Sequence, residues 1–468
     1  MRVYLLGIAG TGMGSFAGLL RKAGHEVSGS DENVYPPMSD KLAEWKIRVF
    51  TPYSADNLKR AEIDLAVVGN VLRADNVEAK AVRRVGIPHM SFPEALEELF
   101  LTKQHPVVIV GTHGKTTTTA ICAQVLTHAG RDPSMLVGGV PLNFNEGFRL
   151  GGGEHFVIEG DEYDTAYFDK GPKFLHYRPR TAIFTGAEFD HADIYRDTAH
   201  YESAFEKFFP LLPQEGYLAA CSAFPNWKRL ASFAKCKVES YCAQETIDAD
   251  WHSRWVSLGP AGAAFEVDYK GNSEIRVTLP AAGRHNVENA LGVYAACRAL
   301  GLKPDEIAAG FRSFRGVKRR QELRGEVKGV AVIDDFAHHP TAVRETIAAV
   351  LAQYPGRRLV AVFEPRSNTA MRKIHQEEYA HAFRGADETI ISQPTAIAKV
   401  PENERIDAKR MAQDIADAGT RARWMESPDA IVLALAKETR SGDVVLAMSN
   451  GGFGGLHDKL LEALGTRA

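Results

Sequence analysis

The stretch Gly111-Thr112-His113-Gly114-Lys115-Thr116-Thr117 follows an apolar run at residues 107–110 and precedes small and apolar residues at helical spacing. A buried strand, a glycine loop and a helix start in this order form the context of a phosphate-binding loop. Glycines let backbone N–H groups approach phosphate oxygens, and the helix N-terminus adds partial positive charge. We therefore predict that Lys115 binds the β- and γ-phosphates of a nucleotide and that Thr116 faces a Mg²⁺ ion.

The loop departs from the usual phosphate-binding pattern in its length. The usual spacing is G-x-x-x-x-G-K-[ST], and its first glycine would fall at Ile109. Here the spacing is G-x-x-G-K-T, two residues shorter. A structural glycine turn with a surface lysine is the alternative, and the flanking strand and helix favour the phosphate site.

Acidic residues follow two more predicted strands. Residues 156–159 run into a group of acids that begins at Glu159, and residues 181–185 run towards an acidic segment that contains His191. If these strands are parallel to the strand before the phosphate loop, their carboxyl ends meet at one edge of a sheet. Because Mg²⁺ prefers oxygen ligands, Glu159 is a candidate metal ligand. His191, which lies in the second acidic segment, is a further candidate. For any single acid, a solvated loop charge is the alternative.

Residues 3–31 predict a strand, a glycine loop, a helix and a second strand. The loop contains Gly10, Thr11, Gly12 and Met13, and the second strand ends at Asp31. This arrangement is typical of nucleotide-diphosphate binding, so a nucleotide-sugar is as suitable a ligand as a dinucleotide. A glycine turn without a ligand and a dinucleotide-dependent oxidoreductase are the alternatives.

The last third of the chain predicts a further α/β unit whose strands end in polar loops. A strand at 329–333 runs into Asp335, one at 359–363 into Arg366, and one at 443–448 into Ser449 and Asn450. Glycines after Asn450 can form a nest of N–H groups for a carboxylate or phosphate. An ordinary turn and an internal salt bridge of Arg366 are the alternatives.

Two weaker patterns lie between these units. Asn286 and Asn289 are three residues apart at a predicted helix start, where they either cap the helix or contact an adenine edge. Alternating residues between 236 and 280 predict an antiparallel flank.

Composition restricts the class of protein. The chain has 468 residues, 45% hydrophobic content and a net charge of −3, which argues against nucleic-acid or anionic-membrane binding through bulk charge. The five cysteines show no C-x-x-C spacing, and no apolar run approaches the length of a membrane span. We expect a cytoplasmic protein with domains at 1–104, 105–316 and 317–468.

Several motifs occur together in one order. They are Gly111–Thr117, Glu159-Gly160-Asp161-Glu162, Asp190-His191, His285-Asn286-x-x-Asn289-Ala290, Arg319-Arg320 and residues 334–340. In this combination they resemble the Mur ligases, the ATP-dependent amide ligases of peptidoglycan synthesis. The resemblance covers essentially the whole chain. It implies three Rossmann-like α/β domains, the central one of the P-loop ATPase type with a mostly parallel sheet.

The resemblance also implies roles for individual residues. ATP would bind to Gly111, Thr112, His113, Gly114, Lys115, Thr116 and Thr117, with Asn289 at the adenine, Asp335 at the ribose and Arg320 at the γ-phosphate. Mg²⁺ would bind to Thr116, Glu159 and His191, and catalysis would depend on Lys115, Glu159, His191 and Arg320. The UDP-sugar donor would bind to Gly10, Thr11, Gly12, Met13 and Asp31, and the acceptor to Arg366, Ser449 and Asn450.

Two family members share the donor UDP-N-acetylmuramate and differ in the acceptor. Residues 33–39, 364–369 and 449–455 resemble the member that adds the recovered tripeptide L-alanyl-γ-D-glutamyl-meso-diaminopimelate in peptidoglycan recycling. The member that adds free L-alanine is the alternative. We expect a monomer or weak homodimer.

Overall fold

The computed structural model describes residues 1–466 and divides into two compact units. The first unit consists of Met1–Glu188, Thr198–His252 and Asn289–Phe314. The second consists of Phe189–Asp197, Ser253–Glu288 and the chain from Arg315 onwards.

Strands and helices alternate along most of the chain. The strands are β1 (Arg2–Leu6), β2 (Glu26–Ser30), β3 (Arg48–Phe50), β4 (Leu65–Val68), β5 (His89–Ser91), β6 (His105–Val110), β7 (Ser134–Leu136), β8 (Phe148–Arg149), β9 (His155–Glu159), β10 (Asp164–Ala166), β11 (Asp169–Pro172), β12 (Thr181–Phe184), β13 (Tyr217–Cys221), β14 (Lys237–Cys242), β15 (Trp251–Gly259), β16 (Gly262–Tyr269), β17 (Asn272–Leu279), β18 (Glu322–Val327), β19 (Val330–Asp335), β20 (Leu359–Phe363), β21 (Glu388–Ser392), β22 (Ala422–Met425) and β23 (Val444–Met448). The α-helices are α1 (Thr11–Lys22), α2 (Met38–Glu44), α3 (Ala55–Arg60), α4 (Val77–Val85), α5 (Phe92–Leu99), α6 (Lys115–His128), α7 (Thr198–Phe208), α8 (Trp227–Ala231), α9 (Arg284–Ala299), α10 (Pro304–Arg312), α11 (Pro340–Gln353), α12 (Gln376–Ala382), α13 (Ala408–Asp417), α14 (Pro428–Glu438) and α15 (Leu456–Thr466).

The N-terminal part of the first unit is built on a parallel five-stranded sheet with the order β3-β2-β1-β4-β5. In β1 the residues from Val3 to Leu6 are buried, as expected for a strand covered on both faces. Leu6 pairs with Ser30, so the loop after β1 lies beside the end of β2. This register places the glycine loop next to Asp31.

The central part of the first unit contains the strands in the order β14-β13-β12-β6-β9-β7-β8. Strand β6 pairs in parallel with both β9 and β12, with Ile109 opposite Glu159 on one side and Ile183 on the other. The carboxyl ends of these three strands therefore share one edge, as predicted from the acidic segments.

The second unit contains a six-stranded sheet with the order β18-β19-β23-β20-β21-β22. Consecutive residues of β19 enter different hydrophobic clusters, Val330 and Val332 on one face and Ala331 and Ile333 on the other. Helices cover both faces, so the buried strands read as continuous apolar runs.

The predicted α/β class with mostly parallel sheets and several domains is confirmed. The predicted antiparallel flank is correct for β16 and β17 and wrong for β14, which pairs in parallel with β13 and β15. Alternating burial reports the face of a strand and not the direction of its neighbour, so the pattern could not distinguish these cases. Within residues 1–466, no helix combines the length and the apolar character needed to span a bilayer.

Candidate active site

The predicted phosphate loop connects β6 to α6, and two of its positions require glycine. Gly111 has φ of 134°, and a Cβ atom there would lie 2.3 Å from Thr185 Oγ1. Gly114 has φ of 76°, and its Cβ atom would lie 2.4 Å from Asn289 Oδ1. No side chain among residues 1–466 caps α6, so its N-terminal N–H groups are suited to an anion.

Lys115 is the first residue of α6 and is only 7% exposed. Its Nζ atom donates to Gly111 O at 2.6 Å and lies 2.9 Å and 3.2 Å from the two carboxylate oxygens of Glu162. Burial by itself lowers the pKa of Lys115, but the charges of Glu162, Asp161 and Glu159 outweigh it and raise the pKa. The loop therefore holds a buried ammonium group whose charged form is favoured by the neighbouring acids.

Glu159 lies at the end of β9 and joins the loop to the neighbouring strand. Its Oε1 atom accepts from Thr116 Oγ1 at 2.8 Å, and its Oε2 atom accepts from Gly138 N at 2.7 Å. Burial and the charge of Asp161 raise the pKa of Glu159, and Lys115 acts in the opposite direction. A hydroxyl and a carboxylate at this separation offer the oxygen ligands that Mg²⁺ prefers. The charge of a bound Mg²⁺ ion would also favour the ionised form of Glu159, whose pKa is raised by burial.

A hydrogen-bond network braces the outer side of the phosphate loop. Thr112 Oγ1 lies 2.8 Å from Tyr201 OH and donates to Glu188 O at 2.8 Å. His113 Nε2 lies 2.8 Å from Glu188 Oε2, and Thr185 Oγ1 donates to His113 O at 2.6 Å. The shortened loop is therefore held by side chains from α7 and from the segment between β12 and α7.

Asn289 and Thr117 also lie at this loop. Asn289 packs its amide against Gly114 and is 6% exposed, and Thr117 belongs to the first turn of α6. The structure thus brings Asn289 to the phosphate loop. Its contact with adenine stays a prediction.

The predicted donor residues gather at the loop between β1 and α1. Gly10, Thr11 and Gly12 are exposed at the start of α1, and Met13 is buried. Asp31 Oδ2 accepts from Ala9 N at 2.9 Å, so the acid holds the loop from the end of β2. The arrangement leaves an exposed helix N-terminus beside an acid, which suits a nucleotide diphosphate.

His191 lies in the second unit beside a buried acid. It has φ of 58°, its backbone N–H donates to Asp190 Oδ1 at 2.7 Å, and its Nε2 atom lies 3.9 Å from Asp190 Oδ2. Burial by itself raises the pKa of Asp190, but the hydrogen bond from His338 and the charges of His191, His338 and His339 hold it well below its usual range. The role of His191 as a metal ligand stays a prediction.

Arg320 and Asp335 lie together in the second unit. The Arg320 guanidinium stacks 4.6 Å above the Phe336 ring. The Asp335 carboxylate accepts from Gln321 N at 2.7 Å and Ala337 N at 2.8 Å and is 4% exposed. Asp335 therefore holds the backbone around Arg320, and its predicted contact with a ribose is not tested.

The predicted acceptor residues surround Glu364, an acid that is completely buried. Ser449 Oγ donates to Glu364 Oε2 at 2.6 Å, and Arg366 Nη1 lies 3.6 Å from Glu364 Oε1. A Cβ atom at Gly451 would lie 2.0 Å from Arg366 Nε, so the glycine permits the arginine to cross the loop. Asn450 Oδ1 is buried and has no hydrogen-bond partner among residues 1–466.

The internal salt bridge considered for Arg366 is therefore present, although long. An arginine that is 40% exposed next to an unsatisfied amide oxygen can still bind a polar ligand.

Some residues of the site were not predicted from the sequence. Glu162 and Glu364 were seen only as parts of longer motifs, without a role of their own, and Tyr201 carried no motif signal. Each is completely buried and supports a loop through its side chain. A buried acid is recognisable as an ion-pair partner only once the positions of its neighbours are known.

Family comparisons cover most of the chain. Residues 2–104 match the Mur ligase family catalytic domain, residues 109–297 the Mur ligase middle domain, and residues 319–451 the glutamate ligase domain of Mur ligases. The chain therefore belongs to the Mur ligase family. It is an ATP-dependent ligase that forms an amide bond.

Individual relatives agree with this assignment. The chain is 39% identical to UDP-N-acetylmuramate–L-alanyl-gamma-D-glutamyl-meso-2,6-diaminoheptandioate ligase of Escherichia coli strain K12, over 100% of this chain and 99% of the relative. It is 32% identical to UDP-N-acetylmuramate–L-alanine ligase of Acetivibrio thermocellus, over 96% of this chain and 93% of the relative. The crystal structure of a murein peptide ligase from Psychrobacter arcticus matches with a TM-score of 0.74 at 35% identity, covering 100% and 99% of the two chains.

Proposed function

We propose that this ligase joins UDP-N-acetylmuramate to the tripeptide L-alanyl-γ-D-glutamyl-meso-diaminopimelate at the expense of ATP, in peptidoglycan recycling. Residues 1–104 would bind the donor, 105–316 the ATP, and 317–468 the acceptor. Identity of 39% to the Escherichia coli tripeptide ligase, against 32% to the Acetivibrio thermocellus L-alanine ligase, supports this acceptor. UDP-N-acetylmuramate–L-alanine ligase activity is the second candidate, because a full-length relative at 32% identity carries that name.

The reaction has two steps. A carboxylate oxygen of the muramic acid attacks the γ-phosphorus of ATP, the bond to the β-phosphate oxygen breaks, and ADP leaves. The amino nitrogen of the peptide then attacks the acyl carbon of the resulting acyl phosphate, the carbon–oxygen bond to phosphate breaks, and the nitrogen loses a proton. The first step brings an anionic carboxylate to an anionic triphosphate, so it needs fixed positive charge.

The buried position of the Lys115 ammonium group is the observation that carries this proposal. This ammonium group is buried at the mouth of a glycine loop and held by Glu162 and Gly111, so its charge is oriented before a nucleotide binds. Preorganised charge of this kind stabilises the transition state without reorganisation. Arg320 would add charge at the γ-phosphate.

The pair Thr116 and Glu159 would hold Mg²⁺, and His191 would contribute to a second ion. The oxygen donors of the pair fit Mg²⁺ well, whereas the imidazole nitrogen of His191 is a less typical ligand. Bound there, the ion would neutralise phosphate charge.

Arg366 and the loop of Ser449 and Asn450 would select the acceptor. A tripeptide carries several carboxylates and L-alanine only one. The Arg366 guanidinium can form paired hydrogen bonds to a carboxylate, and the unsatisfied Asn450 Oδ1 can accept from an ammonium or amide group.

The test is phosphate release from ATP with UDP-N-acetylmuramate and either the tripeptide or L-alanine. The proposal expects rapid release with the tripeptide and little with L-alanine. The reverse order would replace the proposed acceptor by L-alanine, and no release with either would contradict ligase activity towards this donor.

A further inference from the structure

Glu78 is a completely buried carboxylate that the proposed reaction does not use. It lies in the first turn of α4, and its exposed fraction is 0%. Within residues 1–466, no lysine, arginine or histidine forms a salt bridge with it. An ionised carboxylate without a cation is costly to bury, so its hydrogen bonds must compensate.

Both oxygens of Glu78 accept hydrogen bonds from segments next to the donor site. Oε2 accepts from Ser30 Oγ and, at 3.4 Å, from Tyr4 OH. Oε1 accepts from Asn57 Nδ2 at 2.6 Å and from Ser54 N at 2.9 Å. The N-terminus of α4 adds a favourable partial positive charge.

These contacts lead to Asp31 along two routes. Ser30 is the last residue of β2 and directly precedes Asp31. Ser54 and Asn57 bracket the start of α3, next to Tyr53, whose hydroxyl donates to Asp31 Oδ1 at 3.4 Å. Burial raises the pKa of Tyr53, so the hydroxyl keeps its proton.

Asp31 in turn fixes the glycine loop. Its Oδ2 atom accepts from Ala9 N, and its Oδ1 atom accepts from Glu32 N at 2.8 Å. Gly7 is in the same corner, because a Cβ atom there would lie 3.9 Å from Tyr53 OH. One buried acid thus connects β2, the 51–57 segment and, through Asp31, the loop that begins α1.

We propose that Glu78 is a positioning residue for the nucleotide-sugar donor: it locks the end of β2 and the 51–57 segment, and thereby sets the position of Asp31 and the glycine loop. Glu78 itself does not touch the donor. The inference rests on the proposed function, because it assumes that the donor binds at Asp31.

The experiment measures the dissociation constants of UDP-N-acetylmuramate and of an ATP analogue by calorimetry on the full chain. Glu78→Ala removes the acceptor of Ser54 N and one of the two acceptors of the Asn57 amide, which also donates to Pro52 O, so the donor dissociation constant should rise by on the order of tenfold or more. The ATP-analogue constant should stay the same. Glu78→Gln should recover most of the affinity, because its oxygen still accepts from Ser54 and Asn57 and its amide can donate to the Ser30 hydroxyl.

Two controls separate positioning from general effects. Val82→Ala removes a buried side chain from the same helix without touching the hydrogen bonds, since Val82 is 1% exposed in the adjoining hydrophobic cluster. Asp31→Ala tests the donor site itself and should raise the donor constant. If Val82→Ala weakens donor binding as much as Glu78→Ala, the inference is overturned.

The remaining outcomes are also decisive. An unchanged donor constant in Glu78→Ala, with a raised constant in Asp31→Ala, overturns the inference and leaves the donor site intact. Unchanged constants in both variants overturn the donor site and the inference together. If Glu78→Ala does not fold, Asn57→Ala decides, since it removes one donor to Glu78: a raised donor constant supports the inference and an unchanged one overturns it.

Discussion

The ion pair of Lys115 with Glu162 allows stability and catalysis to be separated by two variants, Lys115→Met and Lys115→Met/Glu162→Gln. The two side chains are 8% and 0% exposed, and Nζ lies 2.9 Å from Oε2. Removing one partner of a buried pair leaves an uncompensated charge and costs about 3–5 kcal/mol. The single variant should lose this much free energy of unfolding. The double variant should regain most of it, because neither buried charge remains.

Activity should respond differently from stability. The Lys115 ammonium is predicted to contact the phosphates, and loss of such a contact typically lowers kcat by about 10²–10³. The double variant restores no positive charge, so it should remain as inactive as the single variant. Urea-induced unfolding gives the stability, and phosphate release with donor and tripeptide gives kcat.

Lys173→Met is the matched control. Lys173 Nζ lies 3.5 Å from Asp161 in the same acidic motif, but this pair is partly exposed, so its loss should cost only about 0–1 kcal/mol. A double variant with restored activity would refute the role of Lys115 at the phosphates. A single variant as stable as the wild type would refute the account of the buried pair.

Three further predictions test other parts of the chain. Arg366→Lys loses the planar fork, so KM for the tripeptide should rise by on the order of tenfold while KM for ATP is unchanged; an unaltered tripeptide KM would remove Arg366 from the acceptor site. Asn368 Nδ2 donates to Asp193 Oδ2 at 2.9 Å, which links the arginine loop to the segment of His191. Asn368→Ala and Asp193→Ala should therefore lower kcat by less in combination than the sum of their separate effects, and strictly additive effects would contradict the link. Burial, together with the charges of His155 and Arg180, lowers the pKa of His105 to about 4. The pKa of His105 is therefore lower in the folded chain than in the unfolded chain, where it is about 6.5. The contribution of neutral His105 to the free energy of unfolding is fully present above about pH 6.5 and is lost as the pH falls towards 4. His105→Gln should reduce this acid sensitivity by about 1–2 kcal/mol after allowance for solvent screening, and equal pH dependence of the two proteins would refute the assignment.

Local patterns were sufficient for the elements around the phosphate loop. An apolar run, two glycines and a lysine specify strand, loop and helix within a few residues, and the structure has β6 and α6 at these places. The edge strands β18 and β22 were not predicted. Both are partly exposed and contain charged residues, so they lack the apolar run that marks a buried strand.

The candidate site was predictable where sequence neighbours act together and not where distant residues meet. Lys115 and Thr116 are adjacent, and Glu159 ends a strand whose pattern is strong. Glu162 and Glu78 gain their importance from partners 47 and 48 residues away, which the folded structure alone brings close. The three-domain bounds stay a prediction for the same reason, since interactions between distant segments determine a domain.

A crystal structure of the ligase with a non-hydrolysable ATP analogue and UDP-N-acetylmuramate tests the central claim most directly. The account predicts the terminal phosphates within hydrogen-bond distance of the backbone of residues 111–117 and of Lys115 Nζ, with the muramic carboxylate facing the γ-phosphate. Terminal phosphates bound away from residues 111–117 would contradict it.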